Sequence, residues 1–218
     1  MKTPAPGETT PLLFPGGPLP WLWPGVFLGS LAPLASLIVG AVRGTLGADV
    51  VAEGLNRLGL LALIFLVASL SCTPLQTLTG KAWPIKIRKM LGLYAFFYAC
   101  LHLTTYAWLD QGLDFKAIFS DIVKRPFILA GFTAFLLLVP LAVTSTAKML
   151  KRMGFAGWKR LHRLAYVAGT LGVLHFFLRV KKDATEPLIY AGILGVLFAI
   201  RIAAWVMKRV KKGGARPI

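Results

Sequence analysis

Charged residues along this chain fall in clusters, and the gaps between clusters are long and apolar. Residues 21–42, 58–80, 90–109 and 126–147 carry no Asp, Glu, Lys or Arg. Residues 164–178 form a shorter uncharged run flanked by Arg163 and Arg179, whose long stems can reach outward and extend it. Residues 187–207 contain one charge, Arg201, which is expected to reach back to the membrane surface in the same way. A predominantly apolar stretch of roughly 20 residues crosses a bilayer as a helix, so the pattern predicts an all-α polytopic membrane protein, a bundle of about six transmembrane helices. Six spans put both termini on one side. Pro24, Pro33 and Pro140 lie inside these runs and predict bends. Gly169 and Gly172 in the fifth run allow close approach of something bulky.

Composition agrees with this reading. Hydrophobic residues make up 56% of the 218 positions, charged residues only 15%, and the mean hydropathy is +0.70; a soluble domain carries about 25% charged residues. Residues 1–20 hold Pro4, Pro6, Pro11, Pro15, Pro18 and Pro20 with no apolar core before a small-residue cleavage site, so they read as a flexible cytoplasmic tail and not a signal peptide. The membrane domain then covers residues 21–207, and residues 208–218 form a basic cytoplasmic tail.

The net charge of +17 sits mainly in three places. Lys81, Lys86, Arg88 and Lys89 follow the second run, Lys148, Lys151, Arg152, Lys159, Arg160 and Arg163 follow the fourth, and Lys208, Arg209, Lys211, Lys212 and Arg216 follow the sixth. Basic loops stay cytoplasmic, which places both termini in the cytoplasm of a bacterial inner-membrane protein; Arg179, Lys181 and Lys182 dissent but are outweighed. Such residues meet anionic lipid headgroups, and this membrane-lipid role replaces nucleic-acid binding as the explanation of the charge.

Cys72 and Cys100 both lie in apolar runs without a CxxC pair and read as buried thiols. The histidines are more informative, for there are only three, His102, His162 and His175, all in or at the edge of spans. An ionisable residue inside a membrane is costly and points to function. Proton relays use acids, and no Asp or Glu occurs inside any run. His102 lies 13 residues beyond Lys89 and His175 lies 12 beyond Arg163, on two spans running the same way, so the two share a depth. That arrangement predicts a six-coordinate haem held between the third and fifth spans, with His102 and His175 as metal ligands. Two axial imidazoles leave no open site, which favours electron transfer over oxygen chemistry.

His162 is expected to open the fifth span about 20 Å from His175 along one helix. A second haem there would use His162 with water, Arg88 or another partner. At about 100° per residue the two histidines would point well apart on an ideal helix, which a π-bulge or a bend near Gly169 would correct. The competing reading makes the histidines packing residues.

The stretches Leu46-Gly47-Ala48-Asp49, Thr73-Pro74-Leu75, Arg88-Lys89-Met90-Leu91-Gly92-Leu93, Leu101-His102-Leu103-Thr104 with Tyr106, Arg125-Pro126, Thr144-Ser145-Thr146, Trp158 with Leu161-His162 and Tyr166, His175, and Pro187-Leu188-Ile189-Tyr190-Ala191-Gly192 cover most of the chain. Together they resemble the MsrQ (YedZ) family, the haem-binding membrane subunits of periplasmic methionine sulfoxide reductase systems, within the ferric-reductase-like transmembrane group. Relatives in that group carry two histidine pairs and an attached flavin–nicotinamide domain, whereas this chain has three histidines and no such domain. The resemblance implies an electron-transfer subunit, not the catalytic one, binding haem b (one or two) and FMN. Electrons would come from the quinone pool or a flavin reductase and pass to a periplasmic molybdopterin-containing sulfoxide reductase subunit, forming a heterodimer that repairs oxidised proteins. The alternatives are a haem-dependent ferric or cupric metalloreductase and a haem-free membrane anchor.

Overall fold

The structure, a computed structural model, describes residues 20–213. Residues 1–19 and 214–218, most of the expected N-terminal tail and the end of the C-terminal one, lie outside the described residues. The chain divides into two compact units, Met1–Thr45 and Leu46–Ile218. The first contains α1 (Leu22–Val42), apolar enough to cross a membrane and interrupted by Pro33.

The described elements of the second unit are all helical. Asp49 caps α2 (Val50–Thr79) by accepting from Ala52 N–H at 2.9 Å, and left-handed Gly80 (φ 69°) ends it. The third span is α3 (Trp83–Thr104), which opens on Pro84 and continues as a π-helical segment, Thr105–Asp110. Next comes α4 (Phe115–Lys124), capped by Asp114, which accepts from Lys116 and Ala117 N–H at 2.9 and 3.0 Å. Pro126 starts α5 (Pro126–Val143), Thr146 caps α6 (Ala147–Leu161), and α7 (Leu164–Arg179) and α8 (Thr185–Gly213) complete the unit. The first part of the expected basic tail is therefore the last turns of α8. Among the described residues five helices are long and apolar enough to span, or six if α6 and α7 form one span broken by a 42° bend. This is an all-α polytopic membrane protein.

Neighbour relations make a closed square: α2 against α3, α3 against α5, α5 against α7, and α7 back against α2. α8 packs on the α2–α7 edge. The core joins Leu63, Leu66 and Leu70 of α2 to Leu138 and Leu141 of α5, Ala168 and Val173 of α7, and Leu194 and Leu197 of α8. Tyr98, fully buried, stacks on Phe65 with ring centres 5.3 Å apart and ties α3 to α2. α4 and α6 mark opposite ends of the square. α4 leaves Phe115, Phe119 and Val123 exposed on one stripe, as a helix lying in the membrane interface does.

Two expectations fail here. Arg201 does not reach for the surface: Nη1 donates to Tyr166 Oη at 2.6 Å, Nη2 donates to the Leu70 carbonyl, and the guanidinium lies 4.9 Å from the Tyr166 ring centre. The reason is in α2, where Pro74 lacks the N–H that would bond the carbonyl four residues back. Arg201 supplies the missing donor. The second correction concerns His162, which does not share a helix with His175. It caps α6, and the bend falls at 162–163 and not near Gly169. The π-helical segment lies in the third span and begins three residues after His102.

Candidate cofactor site

The square encloses a cavity of about 320 Å³ at its α4 end, lined mainly by apolar residues of α2, α3, α5 and α7, with Ile118 and Ile122 of α4 also on its wall. That volume lies in the range of small-molecule and cofactor pockets. His102 and His175 face each other across it, ring centres 6.1 Å apart and planes at 78°. The structure thus brings together the two histidines that depth had paired.

Each ring is held by a neighbouring helix. His102 Nδ1 is 3.0 Å from the Leu55 carbonyl of α2, and His175 Nδ1 is 2.6 Å from the Phe127 carbonyl of α5. A carbonyl only accepts, so each Nδ1 carries the hydrogen and each Nε2 keeps its lone pair. An imidazole nitrogen sits about 2.0–2.1 Å from a metal ion, so two rings on opposite sides of one ion have centres about 6.3 Å apart. The observed 6.1 Å fits that requirement. Among the described residues no group of three or more His, Cys, Asp or Glu stands ready for a metal ion.

Polar groups at the cavity edge are few. Arg179 Nη1 donates to Asn56 Oδ1, and both line the cavity. Tyr106, in the π-helical segment, donates to Asp121 of α4 at 3.1 Å, fastening α4 beside the cavity. Aromatic side chains on its wall are Tyr106, Phe127, Phe132, Phe135 and Phe176. Tyr94, Phe97 and Tyr98 instead pack against one another, edge to face or tilted.

A second cavity of about 370 Å³ opens at the α6 end and shares Leu66 and Leu138 with the first. Arg88, Lys89, Trp158 and His162 line it. His162 and Arg88 stand on this wall but bond elsewhere. Arg88 donates to Thr73 Oγ1 at 3.2 Å. The Thr144 hydroxyl donates to the Pro140 carbonyl at 2.6 Å and has one hydrogen, so His162 Nε2, 3.2 Å away, donates to it. Trp158 stacks on the His162 ring at 3.8 Å and donates Nε1–H to the Thr144 carbonyl. His162 therefore carries its hydrogen on the opposite nitrogen from the other two histidines, and no second histidine faces it.

Sequence reasoning missed Asn56, Gly59, Gly131 and Arg179. A Cβ at Gly59 would lie 3.1 Å from His102 Nδ1, and one at Gly131 would lie 2.7 Å from His175 Nδ1. For the two glycines the signal is their place four residues after an accepting carbonyl, which has meaning once the partner helix is known.

The family model described as "Ferric reductase like transmembrane component" matches residues 53–173. A protein of Rhodospirillum rubrum, named as the protein-methionine-sulfoxide reductase heme-binding subunit MsrQ, is 52% identical over 84% of this chain and 88% of its own length. Proteins of the same name from Deinococcus radiodurans and Herminiimonas arsenicoxydans are 46% and 42% identical, over 85% and 87% of this chain and 91% and 88% of their own. No solved structure matches the chain.

Proposed function

The chain belongs to the MsrQ family of ferric-reductase-like transmembrane proteins, and on that premise we propose that it is the electron-transfer subunit of a periplasmic methionine sulfoxide reductase system in the bacterial inner membrane. It takes electrons from the quinone pool or a flavin reductase at the α6 end and delivers them at the α4 end to a molybdopterin-containing partner. The observation that carries this reading is the facing pair His102 and His175 at 6.1 Å, each with Nδ1 occupied and Nε2 available. His102 and His175 would hold haem b between them, and the haem would supply a one-electron centre.

The remaining roles belong to the protein. Leu63, Leu66, Phe132 and Phe135 keep the cavity apolar and exclude water. Arg179 and Asn56 place a positive charge and an amide at its edge, where the carboxylates of a macrocycle would be met. At the α6 end Arg88 and Lys89 give the second cavity the charge to hold a further anionic group, FMN or a second haem with His162 on its wall. The basic residues of α6, Lys81 and those of the first two turns of α3 face the cytoplasm.

The test is the dithionite-reduced minus oxidised spectrum, with pyridine-haemochrome quantification, of the wild type and of His102→Ala, His175→Ala and His162→Ala. Loss of the b-type signal in the first two variants supports the pair as ligands. The haem retained by His162→Ala distinguishes one centre from two. A wild-type spectrum in all three variants would return the histidines to packing.

A further inference from the structure

His102 and His175 sit on different helices in unrelated local sequences, yet each meets its neighbour in the same way. Nδ1 bonds the carbonyl of residue i, Leu55 or Phe127, and the ring lies against a glycine at i+4, Gly59 or Gly131. In an α-helix the carbonyl of residue i points towards residue i+4, whose N–H it already accepts. A side chain at i+4 would stand over the oxygen's free side. At Gly131 a Cβ would come within 2.7 Å of Nδ1 and 2.9 Å of Cε1 of His175, closer than real Cβ contacts allow. At Gly59 the clearance to His102 is 3.1 Å to both Nδ1 and Cε1, so the ring would have to give by a few tenths of an ångström.

Gly92 repeats the pattern with a smaller donor, Ser69 Oγ, which bonds the Arg88 carbonyl and would lie 3.3 Å from a Cβ there, but the glycines that face leucine do not. A Cβ at Gly169 would meet the Leu70 Cδ1 tip at 3.1 Å, and one at Gly172 the Leu63 Cδ1 tip at 3.5 Å. Leucine tips can rotate aside, whereas the histidine rings are anchored by their Nδ1 bonds.

We infer that Gly59 and Gly131 are positioning residues that leave the Leu55 and Phe127 carbonyls open, thereby fixing the tautomer of both histidines and the crossed angle between their planes. The inference rests on the proposed haem reading and extends it from the ligands to the groups that aim them. Two consequences follow for the centre. A hydrogen bond from Nδ1 to a carbonyl makes Nε2 more basic and favours the oxidised metal, so each bond holds the reduction potential down. Planes near perpendicular leave the two iron orbitals that overlap with the imidazoles nearly equal in energy. A ferric low-spin centre of that kind gives an electron paramagnetic resonance signal with one very large g value in place of a rhombic set.

The experiment compares purified haem-loaded wild type with Gly59→Ala, Gly131→Ala and Gly169→Ala by haem-to-protein ratio, low-temperature ferric resonance spectrum and redox titration. The wild type is expected to show the large-g signal. Gly131→Ala is expected to retain haem about 10- to 100-fold less tightly, the range for losing a partner of a ligating histidine. In Gly59→Ala, and in whatever haem Gly131→Ala retains, the signal moves towards the rhombic form and the potential rises. Gly169→Ala, with the same 3.1 Å clearance as Gly59 but against leucine, matches the wild type. If Gly131→Ala does not accumulate, Gly59→Ala decides. Unchanged spectrum and potential in a haem-loaded Gly59→Ala would overturn the inference, as would an equal shift in Gly169→Ala. A wild type that binds no haem would refute the proposed function itself, and with it the inference.

Discussion

Arg201 and Pro74 make a quantitative prediction about a buried charge inside a membrane bundle. Replacing Arg201 with Met removes both donors while keeping an unbranched chain. The Leu70 carbonyl then has no donor, because residue 74 has no N–H, and a buried unsatisfied acceptor costs about 1–3 kcal/mol. In the other direction, a guanidinium inside a span costs up to about 2.5–3.5 kcal/mol, the value at the bilayer centre, and this one is imperfectly served, since its Nε–H has no partner. The two effects largely cancel, so the single variant discriminates poorly. Pro74→Ala separates them by restoring an N–H to bond Leu70. Arg201→Met is therefore expected to cost about 1–3 kcal/mol less in the Pro74→Ala background than in the wild type. The assay is a double-mutant cycle of unfolding in mixed lipid–detergent micelles, followed by helical circular dichroism. Tyr166→Phe, which removes the other acceptor of Arg201 but leaves the carbonyl served, is the control and should add to Pro74→Ala without coupling. Additivity of Arg201→Met with Pro74→Ala to within about 0.5 kcal/mol would refute the donor-replacement argument.

Three further outcomes are expected. Asp114→Ala removes the cap of α4 and is expected to destabilise that helix by about 1 kcal/mol, read as faster amide exchange over residues 115–124, while Asp114→Asn is nearly silent. Arg179→Gln removes the charge at the edge of the first cavity and is expected to weaken haem retention about tenfold, with Arg179→Lys intermediate; equal retention in a competition with apomyoglobin would exclude an anionic contact there. Thr144→Val leaves His162 Nε2–H without its acceptor and is expected to lower stability by about 1 kcal/mol in the same micelle assay, with Thr144→Ser restoring it.

Much of the architecture was legible because a bilayer imposes a length on every apolar run. The uncharged stretches at 21–42, 58–80, 90–109 and 126–147 correspond to α1, α2, α3 and α5, and the run at 187–207 lies inside α8. The pairing of His102 with His175 was legible for a related reason: a fixed rise per residue turns distance from the last basic residue into depth. Charge clusters could not reveal that residues 147–161 form a helix of their own before a sharp bend. That bend depends on where α6 stops, not on hydropathy.

Sequence by itself thus determined the class of molecule, the position of its long apolar helices and the pairing of two histidines, since each follows from one-dimensional spacing against a slab of known thickness. Tertiary structure alone decided which nitrogen of each histidine is free, because that depends on acceptors 47, 48 and 18 residues away in the chain: Leu55 O, Phe127 O and Thr144 Oγ1. It also decided that Arg201 turns inward, because an orphaned carbonyl on another helix is visible only once α2 and α8 are side by side. Spacing along a chain fixes depth; the direction of a side chain is set by the partner it finds across the bundle.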